Sequence, residues 1–171
     1  MGVLETDRLL LRKLTPDDAE FTLRLLNEPS FLHFIGDRGV RTHEQARKYI
    51  LDRIVASYEQ FGFGLYLVEI KDSSAAAGIC GLIKREGMDD VEIGFAFLPE
   101  FWSRGYGVES AQAVMDFGRE ALGIKRIVAI ANPDNERSFK LLEKIGLRYE
   151  RLIQLPGQEL RIRLFTPRSD S

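Results

Sequence analysis

Residues 91–122, VEIGFAFLPEFWSRGYGVESAQAVMDFGREAL, read as a strand, a tight glycine-bearing turn and a helix, and the rest of the chain is arranged around them. Val91, Ile93, Phe95 and Phe97 alternate with Glu92, Gly94 and Ala96, the period-two pattern of a strand with one bulky face and one nearly bare face. Pro99 stops the strand. After Ser103, Arg104, Gly105, Tyr106 and Gly107, apolar residues recur at Val108, Ala111, Val114, Met115 and Leu122, one stripe of a helix expected to begin at Gly107. The glycines therefore fall at a helix N-terminus, where unpaired N–H groups and the positive end of the macrodipole attract phosphate. Glycine lets an anion approach the backbone, and Arg104 adds a charge able to reach phosphate oxygens. The G-x-G spacing is weak on its own. A dinucleotide fingerprint would have a third glycine where Ser110 stands, and no G-K-[ST] follows, which excludes a nucleotide triphosphatase loop. By itself this segment fits a ligand-free glycine turn as well as a phosphate site.

Composition bounds the remaining possibilities. A chain of 171 residues with 44% hydrophobic content and 11 Phe is expected to form one domain, residues 1–171, with a substantial core. A net charge of -2 offers no bulk attraction for nucleic acid or an anionic membrane. No apolar run approaches membrane-spanning length, and Arg8 and Arg12 interrupt the region where a signal peptide needs a continuous apolar core. Met1-Gly2 with Thr6 formally matches a myristoylation start, but the match is short and common. The lone Cys80 rules out an internal disulfide framework and suits a reducing compartment, so a cytoplasmic location is expected.

From the N-terminus, residues 8–14 (RLLLRKL) form a short apolar strand, and Thr15-Pro16-Asp17-Asp18 opens a helix with N-cap, first-position proline and capping-box spacing. Asn27-Glu28-Pro29-Ser30 breaks it. Thr42 and Gln45 start a second helix running to about Tyr58. The intervening residues 31–41, FLHFIGDRGVR, are too apolar for an ordinary exposed loop and are expected to pack as a wall of a binding site. Strands follow at residues 63–70, 78–84 and 90–97, whose short polar gaps imply antiparallel hairpins. After the central helix come a strand at 126–131, a turn at Asn132-Pro133-Asp134-Asn135, a helix at 136–145 closed by Gly146, and strands at 147–153 and 160–166 around Pro156-Gly157. The strand after the central helix must return parallel to the one before it, so the sheet is mixed.

Three stretches, LETDRLLLRKLTPDDAE, EIGFAFLPEFWSRGYGVES and NPDNERSFKLLEKIGLR, occur in the order of the GNAT-superfamily N-acetyltransferases, and the chain resembles their RimJ- and RimL-like group, the ribosomal-protein N-terminal acetyltransferases. The resemblance covers nearly the whole chain. It implies an α/β fold: a single-domain, mixed, mostly antiparallel sheet of six to seven strands, helices on both faces, splayed at the central parallel pair. It also implies acetyl-CoA as cosubstrate, with pyrophosphate on the turn amides of Ser103, Arg104, Gly105, Tyr106, Gly107 and Val108 and pantetheine along Phe95, Ala96 and Phe97. Where the superfamily usually carries Gln or Arg two residues ahead of Arg104, Trp102 stands here.

Such an enzyme must deprotonate an amine and release a thiol. Glu92, beside the bare face of Gly94 and Ala96, is the candidate base, directly or through water; a salt-bridged or solvent-facing strand residue is the competing account. Asn135 and Ser138 share one face of the late helix. The resemblance places both near pantetheine and thiol, with Asn135 positioning the cofactor and Ser138, where many relatives have tyrosine, as proton donor to sulfur. Asn135 also suits a helix N-cap. A thiol of pKa about 8.5 demands little acid help.

Cys80 reads as a buried strand residue, His33 and His43 as packed or surface residues, and Arg137 and Lys140 as solvated charges that are also within reach of the coenzyme's terminal phosphate. One cysteine and two histidines without ligand spacing give no case for a metal. The acceptor is expected to be a peptide or protein N-terminal amine, or alternatively a polyamine, amino sugar or similar amine. A peptide predicts a wide groove between residues 31–41 and the Pro156-Gly157 hairpin; a small polycation predicts a closed acidic pocket. A catalytically silent coenzyme-binding module is a further alternative, and the chain is expected to be a monomer or homodimer without nucleic-acid or membrane partners.

Overall fold

The computed structural model describes residues 2–168; Met1 and residues 169–171 of the expected domain, including the Met1 end of the acylation match, lie outside the described residues. Eight strands, β1 (Gly2–Glu5), β2 (Leu9–Lys13), β3 (Leu65–Ile70), β4 (Ala76–Ile83), β5 (Val91–Phe97), β6 (Ile127–Ala131), β7 (Leu147–Gln154) and β8 (Arg161–Pro167), form one sheet in the order β1-β2-β3-β4-β5-β6-β8-β7. Every neighbouring pair is antiparallel except β5 and β6. The sheet thus exceeds the expected six to seven strands by β1. With four residues, GVLE, β1 is too short to show a period of its own and exists through its pairing with β2, Leu4 opposite Leu11 and Glu5 opposite Leu10.

Among the described residues, six α-helices pack around the sheet. The capping box at Thr15 forms as read: the Thr15 hydroxyl accepts from the Asp17 amide (3.2 Å) and Asp18 accepts from the Thr15 amide (2.9 Å), ahead of α1 (Ala19–Leu26). Pro29 does not simply break the chain. It occupies the first position of a short α2 (Pro29–Phe34), where its missing N–H costs nothing, so residues 31–41 are part helix and part loop. Thr42 caps α3 (His43–Tyr49) by accepting from the Gln45 amide at 3.1 Å, while Gln45 reaches past the cap to accept from the Arg41 amide at 2.7 Å. A π-helical segment, Ile50–Val55, carries α3 into α4 (Ala56–Phe61), which ends at Gly62 in the left-handed conformation. The central helix α5 (Tyr106–Glu120) starts one residue earlier than the glycine spacing suggests, with Gly105 as N-cap; α6 (Glu136–Lys144) is capped by Asn135.

The core runs along the sheet through Leu9, Leu11, Leu67, Leu82 and Ile127, closed by Ala111, Val114 and Met115 of α5. Among the described residues no helix is long and apolar enough to cross a membrane. What matters for the site is the seam between β5 and β6. β4 pairs with β5 as far as Phe97, but β6 pairs with it only at Val91 and Glu92 and then turns to β8 through Ala129, Ile130 and Ala131. Beyond Glu92 the β6-facing edge of β5 is left without a strand, and a buried strand edge needs hydrogen-bond partners.

Candidate active site

The end of β5 leads into the glycine turn. The Trp102 indole N–H donates to the Phe97 carbonyl (2.9 Å), and the chain then takes left-handed backbone at Ser103 (φ 62°) and Gly105 (φ 83°) before α5 begins. The first hydrogen bond of α5 runs from the Glu109 amide to the Gly105 carbonyl, at 3.0 Å. The amides of Tyr106, Gly107 and Val108 therefore have no acceptor within the helix, and they sit at its positive end.

Arg8, from the opening motif, braces this turn, a role the sequence reading did not assign. Its Nη1 donates to the Arg104 carbonyl (3.0 Å), its Nε to Glu109 (2.8 Å) and its backbone amide to the other Glu109 oxygen (3.1 Å). Thr6 donates to Glu109 as well, and the Arg8 guanidinium lies 4.5 Å from the centre of the Tyr106 ring. The brace neutralises a carboxylate in the first turn of α5 that would otherwise oppose a bound anion. Partial burial pushes the Glu109 carboxyl up, but the hydrogen bonds from Thr6 and Arg8 outweigh it and hold the group below its ordinary range. A Cβ on Gly105 would lie 3.2 Å from Arg8 Nη2, in a backbone conformation that side chains disfavour.

A cavity of about 730 Å³ opens from the turn along the seam. Phe95, Ala96, Phe97, Ser103, Gly105, Tyr106, Gly107, Val108, Asn135 and Ser138 all line it, so ten of the eleven expected cofactor-binding residues are brought together. Arg104 does not line it; the side chain is exposed and the carbonyl is held by Arg8. Cationic side chains come from α6 instead: Arg137 and Lys140, read from the sequence as solvated charges within reach of the coenzyme's terminal phosphate, are in the lining, and so is Lys144, which that reading did not single out. Arg137 stacks 4.4 Å from the Trp102 ring centre and its Nη1 reaches the Ser103 hydroxyl at 3.4 Å.

A second cavity, about 190 Å³, adjoins the first and takes in Glu92, Gly94, Arg85, Tyr49 and the hairpin residues Leu155 and Gln158. The two meet at Phe31, Phe34 and Ile35 on one wall and at Phe95, Ala96, Asn135 and Ser138 on the other. The expected bare face of β5 is only partly open: a Cβ on Gly94 would come within 2.7 Å of Ile83 Cδ1.

Of the two expected catalytic residues, Ser138 stands where the cavities join and Glu92 lines the second alone. Glu92 is 2% exposed and doubly bonded to Arg85, with Nε 2.9 Å from one oxygen and Nη2 3.0 Å from the other. This ion pair takes one lone-pair direction on each oxygen and leaves the others for a water or an amine. Asn135 acts as the helix cap, its Oδ1 accepting from the Ser138 amide at 3.3 Å, which fixes Ser138 on the first turn of α6. Cys80 lines neither cavity; it is fully buried, and burial pushes its thiol up to about 12 despite a hydrogen bond from Ser110.

The site is a pair of adjoining cavities, the larger reaching the free amides at the start of α5 and the smaller reaching Glu92 and Arg85. The acetyltransferase (GNAT) domain family matches residues 8–148. The uncharacterized N-acetyltransferase YoaA of Bacillus subtilis (strain 168) is 31% identical over 154 residues, 89% of this chain and 86% of YoaA. A GNAT-family acetyltransferase from Bacillus anthracis superposes with a TM-score of 0.78 at 27% identity, covering 97% of this chain and 96% of that one. RimL, a ribosomal alpha-N-protein acetyltransferase in complex with coenzyme A, shares the fold with a TM-score of 0.82 at 18% identity over 97% of each chain. The chain belongs to the GNAT acetyltransferase family, and as such is an acetyl-CoA-dependent N-acetyltransferase.

Proposed function

We propose that this enzyme acetylates the N-terminal α-amine of a peptide or protein by direct attack on the thioester. The observation that carries this reading is the meeting of the two cavities at Phe95, Ala96, Asn135 and Ser138: a donor entering from the turn and an amine entering through the second cavity come together at one point. The amides of Tyr106, Gly107 and Val108 suit the pyrophosphate, Arg137 supplies the charge that Arg104 does not, and the unpaired edge of β5 at Phe95, Ala96 and Phe97 suits the pantetheine amides. Bound there, acetyl-CoA supplies the activated acyl carbon.

In this reading Glu92, held by Arg85, takes the amine proton through a water, and the nitrogen lone pair attacks the acyl carbon as the C–S bond breaks. Ser138, at the junction, donates its proton to the departing sulfur and recovers one from water as the acylated nitrogen gives up its second proton to solvent. The acceptor assignment rests on cost and shape. Freeing an α-amine at neutral pH costs about 1 kcal/mol, against about 4.6 kcal/mol for a lysine, and one carboxylate tied to a guanidinium suits the cheaper task. The second cavity also lies between the α2 region and the hairpin at Leu155 and Gln158, where a peptide predicts a wide groove; at about 190 Å³ the cavity is narrower than that and suits only the terminal residue of a peptide.

The test is thiol release from acetyl-CoA over a panel of short peptides with different first residues, spermidine and glucosamine. Turnover is expected with peptides. Turnover confined to the small amines would replace the peptide reading, and coenzyme binding with no turnover on any acceptor would point to a catalytically silent module.

A further inference from the structure

The charges around the second cavity carry information about the acceptor. Its ionisable lining residues come from four elements: Arg38 from the loop after α2, Tyr49 from α3, Arg85 from the segment after β4, and Glu92 from β5. Glu92 is the one carboxylate among them, and both of its oxygens are bonded to Arg85. Arg38 is different. Its neighbour Asp37 is committed elsewhere, to Arg41 at 2.6 Å and the Gly39 amide at 2.8 Å. Among the described residues Arg38 has no carboxylate within ion-pair distance, and its guanidinium stands 6.0 Å from the centre of the Phe31 ring. The cavity therefore has two guanidiniums against one carboxylate, with Arg38 uncommitted at an exposed position.

The remaining walls are mainly apolar: Phe34 and Ile35 from the α2 region, Ile79 and Ile83 from β4, Leu155 and Ile162 from the hairpin. A volume of about 190 Å³ corresponds to roughly six waters at about 30 Å³ each. That is the scale of one amino-acid side chain.

We propose that the acceptor is an amine borne on an apolar residue with a carboxylate close by, the carboxylate being read by Arg38; in peptide terms, an apolar first residue followed by Asp or Glu. This rests on the peptide N-terminal reading above and narrows it. A guanidinium offers a carboxylate two parallel N–H donors. A polyamine would meet that same guanidinium as a like charge and would find no free carboxylate to replace its water, so the cavity discriminates by repulsion as well as by attraction.

The experiment uses matched acceptors and one charge reversal. Peptides Leu-Asp-Ala-Ala, Leu-Asn-Ala-Ala and Leu-Lys-Ala-Ala, the pair leucine and leucinamide, and spermidine are compared by kcat/KM from thiol release, for the natural enzyme and for Arg38→Glu. Arg38 is exposed and does not line the donor cavity, so the variant should fold, as a thermal melt would check, and keep its KM for acetyl-CoA. The natural enzyme should rank Asp over Asn over Lys, with about tenfold between the ends, an attraction and a repulsion each of surface size. Arg38→Glu should invert the order. Equal efficiencies, a ranking unchanged in Arg38→Glu, or a preference for spermidine would overturn the proposal while leaving acetyl transfer intact. If no peptide reacted but leucine outpaced leucinamide, the peptide reading would fail and the carboxylate preference would stand. Silence across the whole panel would overturn both.

Discussion

The two ends of the cleft, donor and acceptor in the proposed reading, share β5 and differ in what is added to it. The donor end takes its largest share from the end of β5, the turn and the first residues of α5, with further walls from α6 and from α1 and α2, and the turn is braced from outside by Arg8. The acceptor end uses the run from Glu92 to Ala96 of β5 and adds residues from α2 and its loop, from α3, β3, β4, β6 and the start of α6, and from the β7–β8 hairpin. In the proposed reading, a donor common to many reactions is served by local backbone geometry, whereas the acceptor is read by side chains from segments that can vary independently.

The sharpest way to break that comparison is at Glu92, where the acceptor end holds a buried ion pair. Glu92→Gln should lower kcat by about 10²- to 10⁴-fold, the usual range for a general base, with the KM for acetyl-CoA unchanged. Arg85→Met alone should destabilise the fold by about 3–5 kcal/mol by leaving Glu92 buried and unpaired. Combining Arg85→Met with Glu92→Leu should recover much of that stability, measured by denaturant titration, without recovering turnover. Full turnover in the double variant would make Glu92 a structural partner only.

At the donor end the expected effect is on binding. Gly105→Val forces a β-branched residue into left-handed backbone, at a cost of about 1–3 kcal/mol, and should weaken acetyl-CoA affinity about tenfold while acceptor preference stays the same. An unchanged Kd by calorimetry would mean that the anion sits elsewhere than on this turn.

The smallest effect concerns pH. Glu109 in the folded state is held below its ordinary range, so its contribution to stability is present above the unfolded value of about 4.3 and is lost as pH falls through the lower folded value. The Tm difference between the natural protein and Glu109→Gln should therefore shrink as the medium is acidified from neutral to below about pH 4. A constant difference across that range would show that the Arg8 brace does not depend on the charge of Glu109.

How legible each feature was follows from how far apart its parts lie. The strand, turn and helix of residues 91–122 could be read because periodicity and glycine spacing are local, as could the Thr15, Thr42 and Asn135 caps. Even there one detail escaped: Arg104 does not line the cavity, whereas Arg137 from α6 does, and α6 is more than 30 residues away in the chain. The Glu92–Arg85 pair spans seven residues across a hairpin and exists only in the register that sets Ile83 opposite Glu92, since a slip of one residue would turn Glu92 to the other face. Arg8 and Glu109 are 101 residues apart, and nothing in either segment names the other.

From sequence alone came the order of elements, the mixed sheet with its central parallel pair, the glycine turn at the start of the central helix and the family, because these depend on short-range patterns that the backbone must obey wherever it is placed. Tertiary structure alone decided that β1 would add an eighth strand, that Glu92 would be locked to Arg85, and that two cavities would meet at Ser138. Those depend on which surfaces come together when the sheet closes against its helices, and such contacts are set by packing between distant segments.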